Sequence, residues 1–419
     1  MDTIYRQIFT PIITYTCGSW SRAVPKVHIH RKLIAAQRRA LIYITRAYST
    51  TPNLSLQILA RKPPIDKYIM SSASLWHLKR EHNINMDDLI INSRDLESSI
   101  PLASSRHPAL PITINFYQPN HADLEIYTDG SKADLNVGCG LVAYHNNTEI
   151  ASERHRLSAH CIILQAELFA ISRAVAWSSA NYSNSTVAII SDSLSSITLL
   201  QNHSHHPIAY DIQNNISASN NSYYIRWTRA HQGTLGNERA DALAKSASSD
   251  HDLPVAYNKL SIHSIKLILK DHLLTSWQRD WDERRHPTTH RLIPAIRNFI
   301  NSKWYCPNQR MSQFLTNHGG FHSYLARFHN TPNPNCSLCG VVDSSSHYLF
   351  ECPALELERL HLKIFLEAHD PFNASAPSEF TAAEEENLIE LSCDNMLKTK
   401  FSSMELTEFW ISVKDEYPF

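Results

Sequence analysis

The chain reads as an α/β protein, a mixed sheet flanked by helices, with helical flanking regions and a small Cys/His cluster. Three observations predict this. Between residues 124 and 247 the pattern runs βββ-α-β-α-β-α, which is not the regular alternation of a continuous doubly wound sheet. Near the N-terminus Leu33, Gln37, Leu41, Ile44 and Tyr48 fall at helical spacing. Toward the other end stands Cys336-x₂-Cys339-x₇-His347-x₄-Cys352, a spacing that suits one tetrahedral metal.

The elements justify themselves in turn. Arg31, Lys32, Arg38 and Arg39 run alongside the first apolar stripe, and Met1–Arg80 carries 13 Lys and Arg against two acids, Asp2 and Asp66. A face that follows a phosphate backbone and a merely solvated charged helix both fit this segment. Leu124 to Tyr127 is a short strand that Asp129-Gly130-Ser131 is expected to end in a turn. Cys139 to Tyr144 and Glu149 to Leu157 are two further strands. Ile163, Leu164, Leu168, Ile171, Ala174 and Val175 make Ile162 to Trp177 a helix with Glu167 near its start. The β-branched run Thr186 to Ile190 is a central strand that delivers Asp192 at its C-terminal end. Tyr223 to Thr228 is another strand, and Ala240 to Ala247 opens a helix carrying Asp241.

Four acids therefore sit in four distinct contexts: Tyr127-Thr128-Asp129-Gly130-Ser131, Gln165-Ala166-Glu167-Leu168, Ile190-Ser191-Asp192-Ser193 and Gly236-Asn237-Glu238-Arg239-Ala240-Asp241. A single Asp after a strand is ordinarily a solvated turn or cap residue. Four carboxylates brought to one spot repel each other unless cations lie between them. Mg²⁺ accepts one or two carboxylates per ion while keeping waters and phosphate oxygens, and two such ions suit in-line displacement at phosphorus.

With these motifs in place, residues 121–250 resemble a type 1 ribonuclease H domain, through Thr128-Asp129-Gly130-Ser131, Gly138-Cys139-Gly140-Leu141-Val142, Ala166-Glu167-Leu168, Ser191-Asp192-Ser193 and the run from Trp227 to Asp241. The resemblance implies a ribonuclease H-like mixed five-stranded sheet and hydrolysis of the RNA strand of RNA–DNA hybrids. It implies that Asp129, Glu167, Asp192 and Asp241 hold two Mg²⁺ or Mn²⁺ ions. It matches His231 to a mobile histidine that assists proton traffic or product departure, and Asn237 to a residue on the hybrid backbone. Sensing a 2′-hydroxyl falls to the groups around Gly130, Ser131 and Lys132. One departure concerns Ser193 to Ile225, which holds His203, His205 and His206 but no Lys or Arg. Several cellular relatives place a basic, Trp-containing protrusion there, so hybrid affinity is expected to be weak.

Residues 1–70, with Trp20, Gln37-Arg38-Arg39-Ala40-Leu41, Ala47-Tyr48-Ser49-Thr50 and Leu59-Ala60-Arg61-Lys62-Pro63-Pro64-Ile65, resemble the stretch after the polymerase palm in non-LTR (LINE-type) retrotransposon reverse transcriptases. That order implies a thumb or connection-like segment (1–70), a linker (71–120), the ribonuclease H domain (121–250), a helical region (251–330) containing Trp277 and Trp281, and a Cys-Cys-His-Cys zinc knuckle (331–355). An acidic segment (356–419) ends the chain; from Ala354 onward there are 14 acids against five basic residues. Cys336, Cys339, His347 and Cys352 are the expected zinc ligands. The knuckle is either purely structural or a contact for single-stranded nucleic acid.

No Tyr-x-Asp-Asp polymerase motif is present, so a complete reverse transcriptase is excluded and the missing polymerase part becomes an expected partner. Without it, residues 1–70 are expected to expose Leu33, Leu41 and Ile44 as an apolar stripe. No secretory leader and no membrane span are expected, which together with metal-bound rather than disulfide-bonded cysteines places the chain inside the cell, in cytoplasm or nucleus. The competing reading is a catalytically silent nucleic-acid-binding remnant.

Overall fold

The computed structural model describes residues 1–360 except 87–88, 98–99, 101–111, 120, 203–205, 230–233, 285–286, 303–304, 329–331 and 358–359. Helix α1 (Asp2–Ile4) continues through a π-helical turn (Tyr5–Phe9) into α2 (Thr10–Thr14), followed by α3 (Cys17–Trp20), α4 (Val27–Thr45), α5 (Asn53–Leu59) and α6 (Ile65–Leu78). Strands β1 (Ile84–Met86) and β2 (Leu89–Ile91) pair antiparallel inside the segment expected as a linker. Next come β3 (Leu124–Ala133), β4 (Asn136–His145), β5 (Thr148–Leu157), α7 (Ile163–Asn181) and β6 (Thr186–Ser191). They lead to α8 (Leu194–Gln201), α9 (Pro207–Ala218), β7 (Ser222–Trp227), α10 (Leu235–Ser249) and β8 (Val255–Tyr257). Helices α11 (Ile262–Glu283), α12 (Pro287–Leu292), α13 (Ile296–Asn301), α14 (Gln309–Thr316) and α15 (His322–Ala326) follow. Two compact units result, His77–Ile268 and Met1–Trp76 with the chain from Leu269 on.

In the first of these units the strand order is β7-β6-β3-β4-β5-β8. β3, β4 and β5 form an antiparallel meander, while β6 and β7 run parallel to β3. The five expected strands are all present, and the three-residue β8 adds a sixth at the edge beside β5. Between β4 and β5, Asn146 and Asn147 take left-handed φ of 48° and 61°, as a tight hairpin turn requires. Side chains alternate across the sheet. Leu124, Ile126, Leu141, Ala143, Val187 and Ile189 pack with Leu168, Ile171 and Val175 of α7 and with Ile208 and Ile212 of α9. Tyr127, Val142, Ala188 and Ile190 face the other way, onto Ala240 of α10.

One sequence expectation is corrected here. Asp129-Gly130-Ser131 does not end the strand; β3 runs on to Ala133, with Asp129 opposite Gly140 of β4. The glycines serve close packing rather than a turn. A Cβ on Gly130 would lie 2.7 Å from the backbone nitrogen of Glu167, and one on Gly140 would lie 2.6 Å from Leu243 Cβ. Bare backbone at these two positions lets α7 press on one face of the sheet and α10 on the other. The stretch after β6 that lacks Lys and Arg forms α8 and α9, tied together by buried Gln213, which donates to the carbonyls of Leu200 and Asn202.

The other unit corrects a second expectation. Leu41 is buried against Tyr5, Leu56 and Ala60, and Leu33 packs beside Ile65, Ile69 and Ala73, so the stripe on α4 is covered from within the chain. Gln37, expected on the same stripe, is buried with its amide donating to Tyr5 Oη and the Pro63 carbonyl and its oxygen accepting from Gln57 and the Ile65 N–H. Ile58 and Leu59 of α5 share one core with Trp277, Trp281, Phe299, Tyr305, Phe314, Cys336, Cys352 and Leu355. The N-terminal helices are thus packed against the C-terminal helical region, with Ser312 Oγ donating to the Thr45 carbonyl at 2.6 Å and Lys67 3.2 Å from Asp280. Exposed apolar residues of this segment include Ile4, Ile8, Ile12 and Tyr15 near the chain start and Val27 and Tyr43 on α4. Among the described residues no helix is long and apolar enough to cross a membrane.

Candidate active site and cysteine–histidine cluster

Parallel pairing brings the acids together. Thr128 of β3 is in register with Ser191 of β6, so the next residues, Asp129 and Asp192, lie side by side where β6 ends, in the middle of the sheet. Glu167 arrives from α7, whose first turn is fixed by buried Gln165. That side chain accepts from the Ile162 N–H at 2.9 Å and donates to Glu97 Oε1 at 2.6 Å and to the Lys259 carbonyl at 3.0 Å. One carboxylate oxygen from each of Asp129, Glu167 and Asp192 then falls within 4.8 Å of the others.

This geometry is expensive for the bare protein. Asp129 and Glu167 are only 6% and 7% exposed. Burial first, then the charges of Asp192 and Asp241, push Asp129 up to about 7. Burial and the charges of Asp129 and Asp192 push Glu167 up to about 9. Glu167 Oε2 is buried without a hydrogen-bond partner. Three crowded carboxylates and an orphaned oxygen are what a divalent cation with oxygen ligands would resolve, so the residues fit that ion.

The remaining sequence-predicted residues fall as follows. Gly130 and Ser131 lie next to Asp129 on β3, paired with Cys139 and Gly138. Lys132 Nζ donates to the Cys161 carbonyl at 2.6 Å, so its ammonium is engaged away from the acids. Asn237 is buried, its Nδ2 donating to Asp192 Oδ2 at 3.3 Å while its Oδ1 has no hydrogen-bond partner. Asp241, on α10, is half-buried and stands apart from the three-acid group, with Lys245 Nζ 2.7 Å from its Oδ2. His231 lies outside the described residues. Two contacts escaped the sequence reading. Trp227 Nε1 donates to the Asp192 carbonyl at 2.9 Å, and Lys245 pairs with Asp241. The second was legible, since Asp and Lys four apart on a helix face each other.

Cys336, Cys339, His347 and Cys352 also converge, with one donor atom of each within 4.8 Å of the rest. Cys339 Sγ lies 3.1 Å from His347 Nε2 and 4.0 Å from Cys352 Sγ, and none of the three cysteines is in a disulfide. Gly340 supports the turn with φ of +77°, its N–H donating to the Cys336 carbonyl. Burial and the neighbouring thiols push Cys352 up to about 11, a state that thiolate ligation would reverse. Three sulfurs and an imidazole in a closed, buried group suit zinc. The cluster is not an isolated bead, because Cys336 and Cys352 belong to the same core as Trp277 and Trp281.

Residues 121–249 match the family model for RNase H, and the mixed sheet with three carboxylates gathered beside β3 and β6 agrees with a ribonuclease H domain. Over part of its length the chain is similar to Pol polyproteins of type-1 retrotransposable elements. It is 30% identical over 125 residues to the Retrovirus-related Pol polyprotein from type-1 retrotransposable element R1 of Popillia japonica, a match covering 29% of this chain and 48% of that protein. It is 28% identical over 137 residues to the corresponding R1 4 polyprotein of Nasonia vitripennis, covering 31% and 35%. The match thus spans less than half the length of these relatives. Among solved structures it is similar to RNase H1 from Halobacterium salinarum NRC-1, at 18% identity and TM-score 0.26, over 30% of this chain and 96% of that one.

Proposed function

We propose that residues 121–249 hydrolyse the RNA strand of RNA–DNA hybrids, with Asp129, Glu167, Asp192 and Asp241 holding two Mg²⁺ or Mn²⁺ ions. The observation that carries this reading is the convergence of three carboxylates within 4.8 Å around a buried, unpartnered Glu167 oxygen. The ions would supply Lewis acidity to the phosphate and to its attacking and leaving oxygens. Glu167, held by the Gln165-anchored first turn of α7, offers its unpartnered oxygen toward that position. Asp192 is steadied from two sides, by Asn237 on its carboxylate and by Trp227 on its carbonyl. Backbone at Gly130 and Ser131 lies beside the acids, where a 2′-hydroxyl would be read. His231 assists proton traffic or product departure, as an imidazole titrating near neutrality can. Lys132 would join the substrate only by leaving the Cys161 carbonyl. Cys336, Cys339, His347 and Cys352 hold Zn²⁺ in a structural role.

A silent, nucleic-acid-binding remnant is the second reading, and Asp241's ion pair with Lys245 favours it. Cleavage of a labelled hybrid by the full chain, with Mg²⁺ and with EDTA, separates the two. Metal-dependent scission of the RNA strand supports the enzyme, whereas hybrid binding without scission supports the remnant.

A further inference from the structure

Lys245 is a cation already directed at the acidic group. Helix α10 is continuous from Leu235 to Ser249, so Asp241 and Lys245 stand one turn apart on the same side, with Nζ 2.7 Å from Asp241 Oδ2. The ammonium also lies close enough to Asp129 for each to favour the other's charged form. Nearby cations are committed elsewhere: Arg239 to Glu149 at 3.4 Å, Arg154 to Asp250 at 3.0 Å, and Arg226 toward Glu125 at 3.8 Å. Asp241 correspondingly stays out of the group formed by Asp129, Glu167 and Asp192.

We propose that Lys245 is a built-in counter-cation for the fourth acid, taking the charge position that a second divalent ion would otherwise fill, so that the site loads in two unequal steps. The inference rests on the metal-dependent reading above. The first ion enters among Asp129, Glu167 and Asp192, none of which forms an ion pair among the described residues, although Lys245 acts on Asp129 from a distance. The second requires Asp241, which becomes available only when Lys245 swings off it. A flexible four-carbon stem makes that swing inexpensive, and the ammonium stays charged throughout, so the competition is between charges rather than through loss of a proton. Second-ion occupancy, and with it the working rate, would then respond to divalent concentration over a range the first site does not sense.

The test is Mn²⁺ binding to the full chain at fixed pH, followed by calorimetry and by the paramagnetic resonance of unbound Mn²⁺. Mn²⁺ prefers oxygen ligands and so discriminates against the thiolate cluster. The parent chain should show a tighter and a weaker step. Lys245→Met, which keeps the stem and helix propensity, should tighten the weaker step roughly three- to tenfold, as expected for losing an exposed ion pair and its repulsion of the incoming ion. Lys245→Arg should keep the parent isotherm, and Asp241→Asn should lose the weaker step. An unchanged isotherm in Lys245→Met, or a change confined to the tighter step, would overturn the proposal. Loss of the tighter step in Asp192→Asn checks the underlying metal reading separately; a parent chain that binds no Mn²⁺ sinks both.

Discussion

Replacing Asp129 by Asn keeps the volume of the side chain while removing one of the crowded charges, so without metal the variant should be more stable than the parent. The unfolded carboxyl titrates near its ordinary 3.8 and the folded one near 7. Between these values the folded chain binds more protons, and stability falls as pH rises; the penalty is absent below about 4 and complete above about 7. At about 1.4 kcal/mol for each tenfold in acidity, the gap comes to roughly 4 kcal/mol at pH 8. Because the repulsion with Asp192 and Asp241 is counted once for the group, this is the ceiling for relief by any one substitution. Hydrogen exchange of the β3 and β6 amides in the full chain, in EDTA, reads it directly. Exchange should be at least tenfold slower in Asp129→Asn than in the parent at pH 8, with the difference vanishing near pH 4. Mg²⁺ at about 1,000 times its Kd should erase the variant's advantage, since only the parent gains fully from the ion and that occupancy contributes about 4.1 kcal/mol. Equal or faster exchange in the variant at pH 8 without metal would refute the electrostatic account of the acidic group.

Glu167→Gln should act the same way over a wider window, its stabilisation in EDTA growing up to about pH 9, where Glu167 titrates; the same exchange experiment checks it. Gly130→Ala should cost roughly 1–3 kcal/mol by overpacking, because its Cβ would meet the Glu167 nitrogen at 2.7 Å, and the loss is measurable by denaturant unfolding. Replacing Cys336 and Cys339 by Ser should abolish zinc retention, measured by metal content. It should also expose Trp277 and Trp281, seen as a red shift in fluorescence, because Cys336 shares their core.

The acids, the strand that ends at Asp192 and the helix that carries Glu167 were legible because each rests on local pattern. The error at Asp129-Gly130-Ser131 has a physical origin: Asp-Gly is the strongest short turn signal, yet here the missing Cβ makes room for a helix that arrives from residues 163–181. A sequence window cannot distinguish those two uses of glycine. The packing of α5 against the helical region was hidden for a related reason, since Ile58 and Leu59 announce an apolar face without naming its partner more than 200 residues away. The cysteine–histidine spacing identified four donors that converge, but not that two of them plug a larger core. Lys245, four residues after Asp241 on one helix, was legible as its partner by spacing alone.

The most direct test is a single-turnover comparison by the full chain of an RNA–DNA hybrid with RNA–RNA and DNA–DNA duplexes of the same sequence, beside Asp192→Asn. The account predicts Mg²⁺-dependent scission of the RNA strand in the hybrid alone, absent from the variant. Scission that survives in Asp192→Asn, or a parent chain that binds the hybrid with metal present and leaves it intact, would contradict it.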